Sequence, residues 1–438
     1  LKIAVVGAGI SGLSCAWRLA RTHDVTLYEA GSYFGGHTHT VEATVDGVTH
    51  PVDTGFLVFN HRTYPELTRL FETLDVEVAP SEMTFSVSVG KPRERALEWA
   101  GTNINSVFAQ RSNLARPAFL RMLYDIVRFN RLATQMALAG EARAGAESLG
   151  DFLAREHFSD AFRLWYLLPM AAAIWSCPTA TMMAFPVSTF VRFCHNHGLL
   201  QVTDRPQWYT IKGGARNYVA QMLKALRDTR LNAPVLAIHR GGSANGAVTV
   251  VTRSAREHFD HVVLATHSDD TLKMLADASS LEARLLGAIR YQKNHAVLHT
   301  DATLLPRRRR AWAAWNYQCL PAAKAGTEDV CVHYLLNLLQ PTPFKRALMV
   351  SLNTIVPPRD ECVLEEFEYS HPVFDAAAIA AQESLAALQG ERSTWFAGAW
   401  TGYGFHEDGL RSGLAVANAI DALVPMARQG LAPRARAA

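Results

Sequence analysis

The sequence predicts an α/β fold: a Rossmann-like nucleotide domain assembled from separated segments, with an inserted substrate domain of mixed sheet and helical cap. Three observations predict it. An apolar, β-branched run, Lys2-Ile3-Ala4-Val5-Val6, feeds directly into Gly7-Ala8-Gly9-Ile10-Ser11-Gly12. A second glycine-rich segment, Lys212-Gly213-Gly214-Ala215-Arg216, opens an amphipathic stretch through Leu226. Near the C-terminus, strand-like Trp395-Phe396-Ala397 runs into a glycine-rich turn and then a helix-like stretch from Leu410 to Leu423.

The first element reads as a strand buried on both faces, since Val and Ile crowd it without polar alternation. The next, Leu13 to Arg21, carries Leu13, Ala16, Trp17 and Ala20 at helical spacing. A second strand, Val25 to Tyr28, ends in Glu29 and Ala30. Strand, GxGxxG, helix, strand and terminal acid, in that order, define a dinucleotide fingerprint with a mechanism. Gly7 permits the tight turn, Gly9 lets a pyrophosphate approach the backbone, and Gly12 lets helix and strand pack closely. The amides of Ile10 and Ser11 at the helix N-terminus then face the phosphates. Glu29, 17 residues past Gly12, can accept ribose hydroxyl hydrogen bonds and would repel a 2′-phosphate.

Beyond Glu29, Gly35-Gly36 and Asp53-Thr54-Gly55 suit extended contact with a long dinucleotide. Strands are expected at Val235–Ile238, Val248–Thr252 and Val262–Ala265, with Val235 placed beside the nucleotide. The helix-like stretch from Leu410, with Gly398, Asp408, Gly409 and Leu410 placed beside the cofactor, can direct its N-terminus at a flavin pyrimidine and stabilise negative charge there. Nicotinamide needs no such site, so FAD is expected, held without a covalent link. The nucleotide domain is expected to comprise 1–75, 205–275 and 386–438. Residues 76–204 read mostly as helices, including Pro117–Leu138 and Pro186–His197. Residues 276–385 read as strands near 294–300, 311–318, 330–337, 347–353 and 362–369. These two stretches form the expected substrate domain, and Gln429–Ala438 reads as a frayed tail.

Composition excludes other classes. Of 438 residues, 49% are hydrophobic and 19% charged, which rules out a disordered chain or a coiled coil. Lys+Arg 43 against Asp+Glu 40 is too balanced for nucleic-acid binding. The cysteines at 15, 177, 194, 319, 331 and 362 form no CxxC pair and no Cys/His metal spacing, so no metal is expected. No apolar run reaches the roughly 18 residues of a bilayer span, and Leu164–Trp175 is 12 residues long with Pro169 inside it. The chain enters a strand at once, so no signal peptide is expected, and a cytoplasmic location follows, with peripheral contact at the inner membrane face in view.

These residues give the chain a recognisable family. The N-terminal fingerprint, the GG pairs and the C-terminal Ala-Gly segment resemble the flavin-containing amine oxidase and phytoene desaturase superfamily. A closer resemblance rests on Gly35-Gly36-His37, Phe56-Leu57-Val58-Phe59-Asn60, Ser81 to Ser88, Asn196-His197-Gly198-Leu199-Leu200 and Gly402-Tyr403-Gly404-Phe405-His406-Glu407-Asp408-Gly409-Leu410. These look like the N-terminal oxidase-like portion of plant cyclopropane fatty acid synthases and its free-standing bacterial relatives. The resemblance implies FAD, with His37 beside it, and points to lipid metabolism. Departures matter too. Tyr33 and His37 stand where amine oxidases usually carry arginines, Ala399 stands where Glu or Asp is usual, and Lys293 precedes the strand that often supplies a lysine near flavin N5.

For chemistry, His406 or Glu407 can manage a substrate proton; alternatively, Asp408 caps the following helix and His406 bonds a loop carbonyl. Trp400 and Tyr403 can wall a flavin face, or simply pack. His295 and His299 alternate along one strand face, with His295 either near N5 or structural. Arg307-Arg308-Arg309-Arg310 with Trp312 and Trp315, and the basic, apolar stretch Arg111–Arg131, read either as solvated surface or as a lipid contact. An apolar tunnel is expected from Ala171–Trp175, Met182, Met183, Phe185 and Phe190. The expected function is an FAD-dependent oxidoreductase acting on a fatty acyl chain. The alternatives are a flavin amine oxidase on a small amine, or a flavin-bearing partner of a cyclopropane fatty acid synthase-type methyltransferase.

Overall fold

A computed structural model describes residues 1–90, 97–139, 147–175, 182–201, 205–241, 248–320 and 329–423. The chain divides into two compact units: 1–36, 218–287 and 382–438, and 37–217 with 288–381. The expected partition gave residues 37–75 to the first of these; their contacts lie in the second. Cys177 and the C-terminal tail fall outside the described residues.

The first unit is built on a five-stranded parallel sheet in the order Thr394–Phe396, His261–Leu264, Lys2–Val6, Asp24–Tyr28 and Asp228–Arg230. Ile3, Ala4 and Val5 are fully buried, as a central strand covered on both faces requires. The helix after the fingerprint spans Ile10–Leu19, starting three residues earlier than the apolar spacing predicts. It begins there because Gly9 ends the turn and leaves the first amides free. A helix at His406–Asp421 packs on it, and also starts ahead of the expected Leu410. Its Gly413 lies so close that an added Cβ would sit 2.1 Å from the Ser11 carbonyl oxygen. An antiparallel sheet of Val235–Arg240, Val248–Thr252 and Arg256–Phe259 completes the unit's strands among the described residues. Behind it, Arg240 is fully buried and bonded to Asp277 at 2.8 Å and to Glu282 at 2.9 Å.

The second unit carries a seven-stranded sheet in the order Val363–Val373, Arg290–His299, Met349–Leu352, Asp329–Leu335, Trp315–Leu320, Phe85–Val89 and Leu97–Ala100. Its pairings are antiparallel except Trp315–Leu320 with Phe85–Val89. The last two strands correct the helical reading of 76–204. A hairpin of Thr40–Val45 and Val48–Asp53 turns at Asp46 and Gly47, whose φ values are 50° and 79°. That geometry is the one an Asp-Gly turn favours. Pro117–Leu138 is helical as expected, and Val187–Asn196 matches the second helix predicted there.

Candidate cofactor site and active-site face

In the first unit, the fingerprint forms a cradle that only small residues permit. Gly7 has φ +97°, and a Cβ on Gly12 would stand 1.8 Å from the Gly7 carbonyl oxygen. Gly9, by contrast, has nothing within 4 Å of where its Cβ would be. Its backbone is therefore open to a phosphate. The helix N-terminus at Gly9 has no side-chain cap, so the amides of Ile10, Ser11 and Gly12 are not satisfied by a capping side chain. Gly35 donates its N–H to the Ala8 carbonyl at 2.8 Å, and Gly36 packs on Gly9. The first GG pair thus joins the fingerprint, as an anion-binding loop demands.

Glu29 sits at the end of Asp24–Tyr28 and ties this cradle together. Its carboxylate accepts the Ala8 N–H and the Gly31 N–H, both at 2.8 Å, leaving lone pairs for ribose hydroxyls. Ala30 is exposed beside it, and Val235 is a buried strand residue some distance along the chain. These residues fit the adenosine and pyrophosphate parts of FAD.

The C-terminal glycine-rich turn is braced from several sides. Asp408 accepts the Phe405 N–H at 3.0 Å, and its carboxylate lies where a Cβ on Gly402 would clash. Burial, only partly opposed by those backbone bonds, pushes its pKa up to about 6. Asp408, the third residue of the helix, thus reaches back to the N–H of Phe405 at its start. Gly409 meets Ile10 and Ser11, Leu410 is buried, and Gly398 donates to Ser412 Oγ at 3.1 Å. Gln382, which the sequence did not single out, donates to the carbonyls of Trp400 and Gly402, both at 2.7 Å. Trp400 is buried, with its indole N–H donated to the Thr266 carbonyl at 3.1 Å, and packs the turn. Tyr403 is half-buried and Glu407 is buried.

His406 Nε2 lies 2.7 Å from the Tyr218 hydroxyl, and burial pulls its pKa down to about 3. An imidazole that is neutral throughout the neutral range, with this nitrogen already bonded, is a poor proton acceptor. Its place is to hold the turn against the Arg216–Leu223 helix. Tyr218 stands 188 positions away in the chain, and nothing local signals the pairing.

In the second unit, Asp53 is 1% exposed and internally saturated. It accepts the Ala215 N–H at 2.9 Å and the Thr40 hydroxyl, while its own N–H donates to Gln340 at 2.9 Å. Burial raises its pKa to about 6. Thr54 bonds Tyr369 at 2.7 Å, and Gly55 packs on the His37 carbonyl. Asp53, Thr54 and Gly55 therefore join the hairpin to neighbouring segments of their own unit. His37 stacks near Tyr369 and His371, with ring centroids 5.3 and 5.1 Å apart. Tyr369 also meets His39 Nδ1 at 2.9 Å. His39, Tyr369 and Thr54 thus form one hydrogen-bonded group, whose members are too scattered in the chain for any spacing to signal it.

His295 lies on the exposed end of its strand and pairs with Glu366 at 3.0 Å, while Lys293 beside it pairs with Glu368 at 2.8 Å. Both side chains are exposed. The strand face that exposes them becomes covered towards His299, which is fully buried and bonded to Ser351 at 2.6 Å. Trp312 and Trp315 likewise turn inward. Trp312 packs on Leu305, Leu335 and Met349, and Trp315 meets Tyr334 edge to face at 4.9 Å.

Trp315 belongs to an aromatic side of the seven-stranded sheet that also carries Phe85, Trp99, Tyr317 and Tyr334. Tyr166 joins it from a π-helical turn, Arg163–Leu167, a device frequent at functional sites. Tyr166, Tyr317 and Tyr334 are 5%, 3% and 7% exposed, yet their hydroxyls make no hydrogen bond among the described residues. Trp315 Nε1 is buried and unpartnered too. Burial first, then the neighbouring Tyr334 and Tyr166, push the Tyr317 phenol well above its ordinary pKa. No carboxylate among the described residues contributes to the ionisation of these three phenols. Of the expected tunnel, Ala171, Met182, Phe185 and Phe190 are buried, and the Trp175 side chain lies outside the described residues. His267, Asp269 and Asp270 approach one another, and Lys273 pairs with both aspartates.

The model of the flavin containing amine oxidoreductase family matches residues 10–421, and the chain belongs to that family. It is an FAD-dependent oxidoreductase, and the cradle around Gly9 and Glu29 fits that cofactor. No curated protein matches it. Among solved structures, cyclohexylamine oxidase from Brevibacterium oxydans IH-35A is similar over 97% of this chain and 99% of that one, with 16% identity and TM-score 0.67. Wild-type putrescine oxidase bound to putrescine covers 96% and 99%, with 16% identity and TM-score 0.66. A CLA-producing fatty acid isomerase from P. acnes covers 95% and 98%, with 14% identity and TM-score 0.64. At these identities the likeness is one of fold.

Proposed function

We propose that this oxidoreductase acts on a fatty acyl chain, free or esterified. An activated carbon, allylic or beside a methyl branch or ring, loses a hydride and its neighbour loses a proton, leaving a new double bond. Bound FAD supplies the two-electron acceptor. The chain's own residues orient the substrate and exclude water. The observation that carries this reading is the aromatic wall of Tyr166, Tyr317, Tyr334 and Trp315. Its rings suit an apolar chain, and its unpartnered donors call for an acceptor oxygen such as an acyl carboxylate or ester carbonyl. Among the described residues no carboxylate acts on these phenols to receive a cationic diamine. The resemblance to the oxidase-like portion of plant cyclopropane fatty acid synthases supports the same substrate class. It also keeps in view a role as flavin-bearing partner of a methyltransferase of that type.

The second reading is a flavin amine oxidase on a small amine. The family description favours it, as do the named amine oxidases of similar fold. Anaerobic stopped-flow reduction of the FAD-loaded protein separates the two, with unsaturated and methyl-branched fatty acids and their phospholipids set beside putrescine and cyclohexylamine. The acyl reading expects reduction by an acyl lipid and none by either amine. Rapid reduction by an amine alone would establish the second reading.

A further inference from the structure

We infer that the second unit docks on an anionic lipid surface through the outer side of the Pro117–Leu138 helix and the arginine loop near it. The helix buries Phe119, Met122, Phe129 and Ala133, so its core-facing side is accounted for. Its other side is not polar. Leu120, Tyr124 and Val127 recur every three to four residues and are 45%, 60% and 63% exposed. Ile104 and Leu114, on the short helices that precede it, are 79% and 55% exposed. A soluble surface seldom gathers this much apolar area without a use for it.

Charge identifies the occupant. Segments 97–138 and 302–320 together hold nine arginines and two acidic residues, Glu98 and Asp125, while the whole chain carries only +3. Both acids are buried, at 3% and 0% exposed, so the outer surface of these segments presents no carboxylate. Glu98 also explains the loop's shape. It accepts the Arg307 N–H and the Arg308 guanidinium, both at 2.7 Å, and so pins the loop to the Leu97–Ala100 strand. The same strand is tied to Asn113 at 3.3 Å, and Arg111 reaches Asn105 at 3.4 Å. Arg307, Arg309 and Arg310 are exposed and make no ion pair among the described residues. The arginine loop and the apolar helices therefore rest on one framework. Exposed Leu, Val and Tyr ringed by arginine complement acyl chains beneath anionic headgroups. A nucleic acid would meet the cations but leave the leucine and valine unused.

Co-flotation of the full-length, FAD-loaded protein with vesicles tests this. Phosphatidylcholine vesicles with and without phosphatidylglycerol are compared, at low salt and at 0.5 M salt. Binding is expected only to the anionic vesicles, and weaker at high salt. Each arginine near such a surface contributes about fivefold, so Arg309→Gln with Arg310→Gln should weaken it about 25-fold. Leu120→Asn with Val127→Asn should also weaken it, while Arg253→Gln with Arg256→Gln, on the other unit, should not. The flavin spectrum and melting temperature confirm that each variant is folded. Equal binding to neutral vesicles, no binding at low salt, or patch variants that bind like the parent would each overturn the inference. Concentration-dependent dimerisation abolished by the Leu120 and Val127 changes would reassign the face to a second copy of the chain.

Discussion

Replacing Glu29 should separate cofactor affinity from chemistry. Its two oxygens accept the N–H groups of Ala8 and Gly31, and Ala8 is fully buried. In Glu29→Ala both amides lose a charged acceptor, and a buried N–H without a partner carries its full desolvation cost. Such bonds are worth about 1.5–3 kcal/mol each. Part of that loss falls on the empty protein, because the cradle loop is braced whether or not FAD is present. The ribose hydrogen bonds that Glu29 would accept exist only with FAD bound, and if they are worth about 3 kcal/mol together their loss raises the Kd for FAD roughly 100-fold. Glu29→Gln keeps one acceptor and should lie between, roughly 10- to 30-fold above the parent. The assay is titration of deflavinated protein with FAD, followed by quenching of flavin fluorescence, with the melting temperature of each empty protein alongside. The rate of reduction per bound flavin should not change. A Kd for Glu29→Ala within twofold of the parent, in a normally folded protein, would refute the placement of Glu29 in the cradle.

Further outcomes follow from buried charge and burial of titratable groups. Arg240→Leu leaves Glu282 without its guanidinium and Asp277 with Arg392 alone, and should cost about 3–5 kcal/mol of unfolding free energy in urea. Acidification from pH 7.5 to 5 should lower the melting temperature. His197, His299, His333 and His406 have folded pKa values of about 4, 4, 3 and 3, below the unfolded value, so their contribution is full above about pH 6.5 and is lost as pH falls toward 4. Each loses about 2 kcal/mol by pH 5, while Asp53 and Asp408, raised to about 6, gain only about 1 kcal/mol each as pH falls below that value. A melting temperature that holds steady or rises on acidification would contradict the lowered pKa values of those histidines. Tyr218→Phe should lower stability or FAD occupancy while leaving the reduction rate per bound flavin within about threefold. A larger rate loss would return His406 to the proton-handling role.

Legibility in the sequence followed locality. The fingerprint from Lys2 to Glu29 was readable because every part of its mechanism lies within one strand, helix and strand. The long helix Pro117–Leu138 was readable from its periodicity, but not the fact that its outer side stays apolar. Strands Phe85–Val89 and Leu97–Ala100 escaped notice because Ser86, Ser88 and Glu98 interrupt them. Ser86 is buried and donates to Asn316 across the sheet at 2.8 Å, buried Glu98 holds Arg307 and Arg308, and Ser88 is half-buried. The Asp46-Gly47 turn was a signal present and unused. The His406–Tyr218 bond and the convergence of Tyr166, Tyr317 and Tyr334 join distant segments, and no spacing rule reaches them. Helix starts were placed late at both glycine-rich turns, since apolar periodicity begins after the backbone has already turned helical.

The aromatic wall is the central claim about substrate, and ligand binding to the oxidised, FAD-loaded protein tests it most directly. A long-chain fatty acid, its methyl ester and a primary amine of equal length are titrated in turn, with the visible flavin bands as the reporter. The account predicts a saturable shift with the fatty acid or ester. Its Kd should rise about 5- to 15-fold for each hydrogen bond lost in Tyr166→Phe, Tyr317→Phe and Tyr334→Phe. Saturable binding of the amine alone, or fatty-acid binding indifferent to all three phenols, would contradict it.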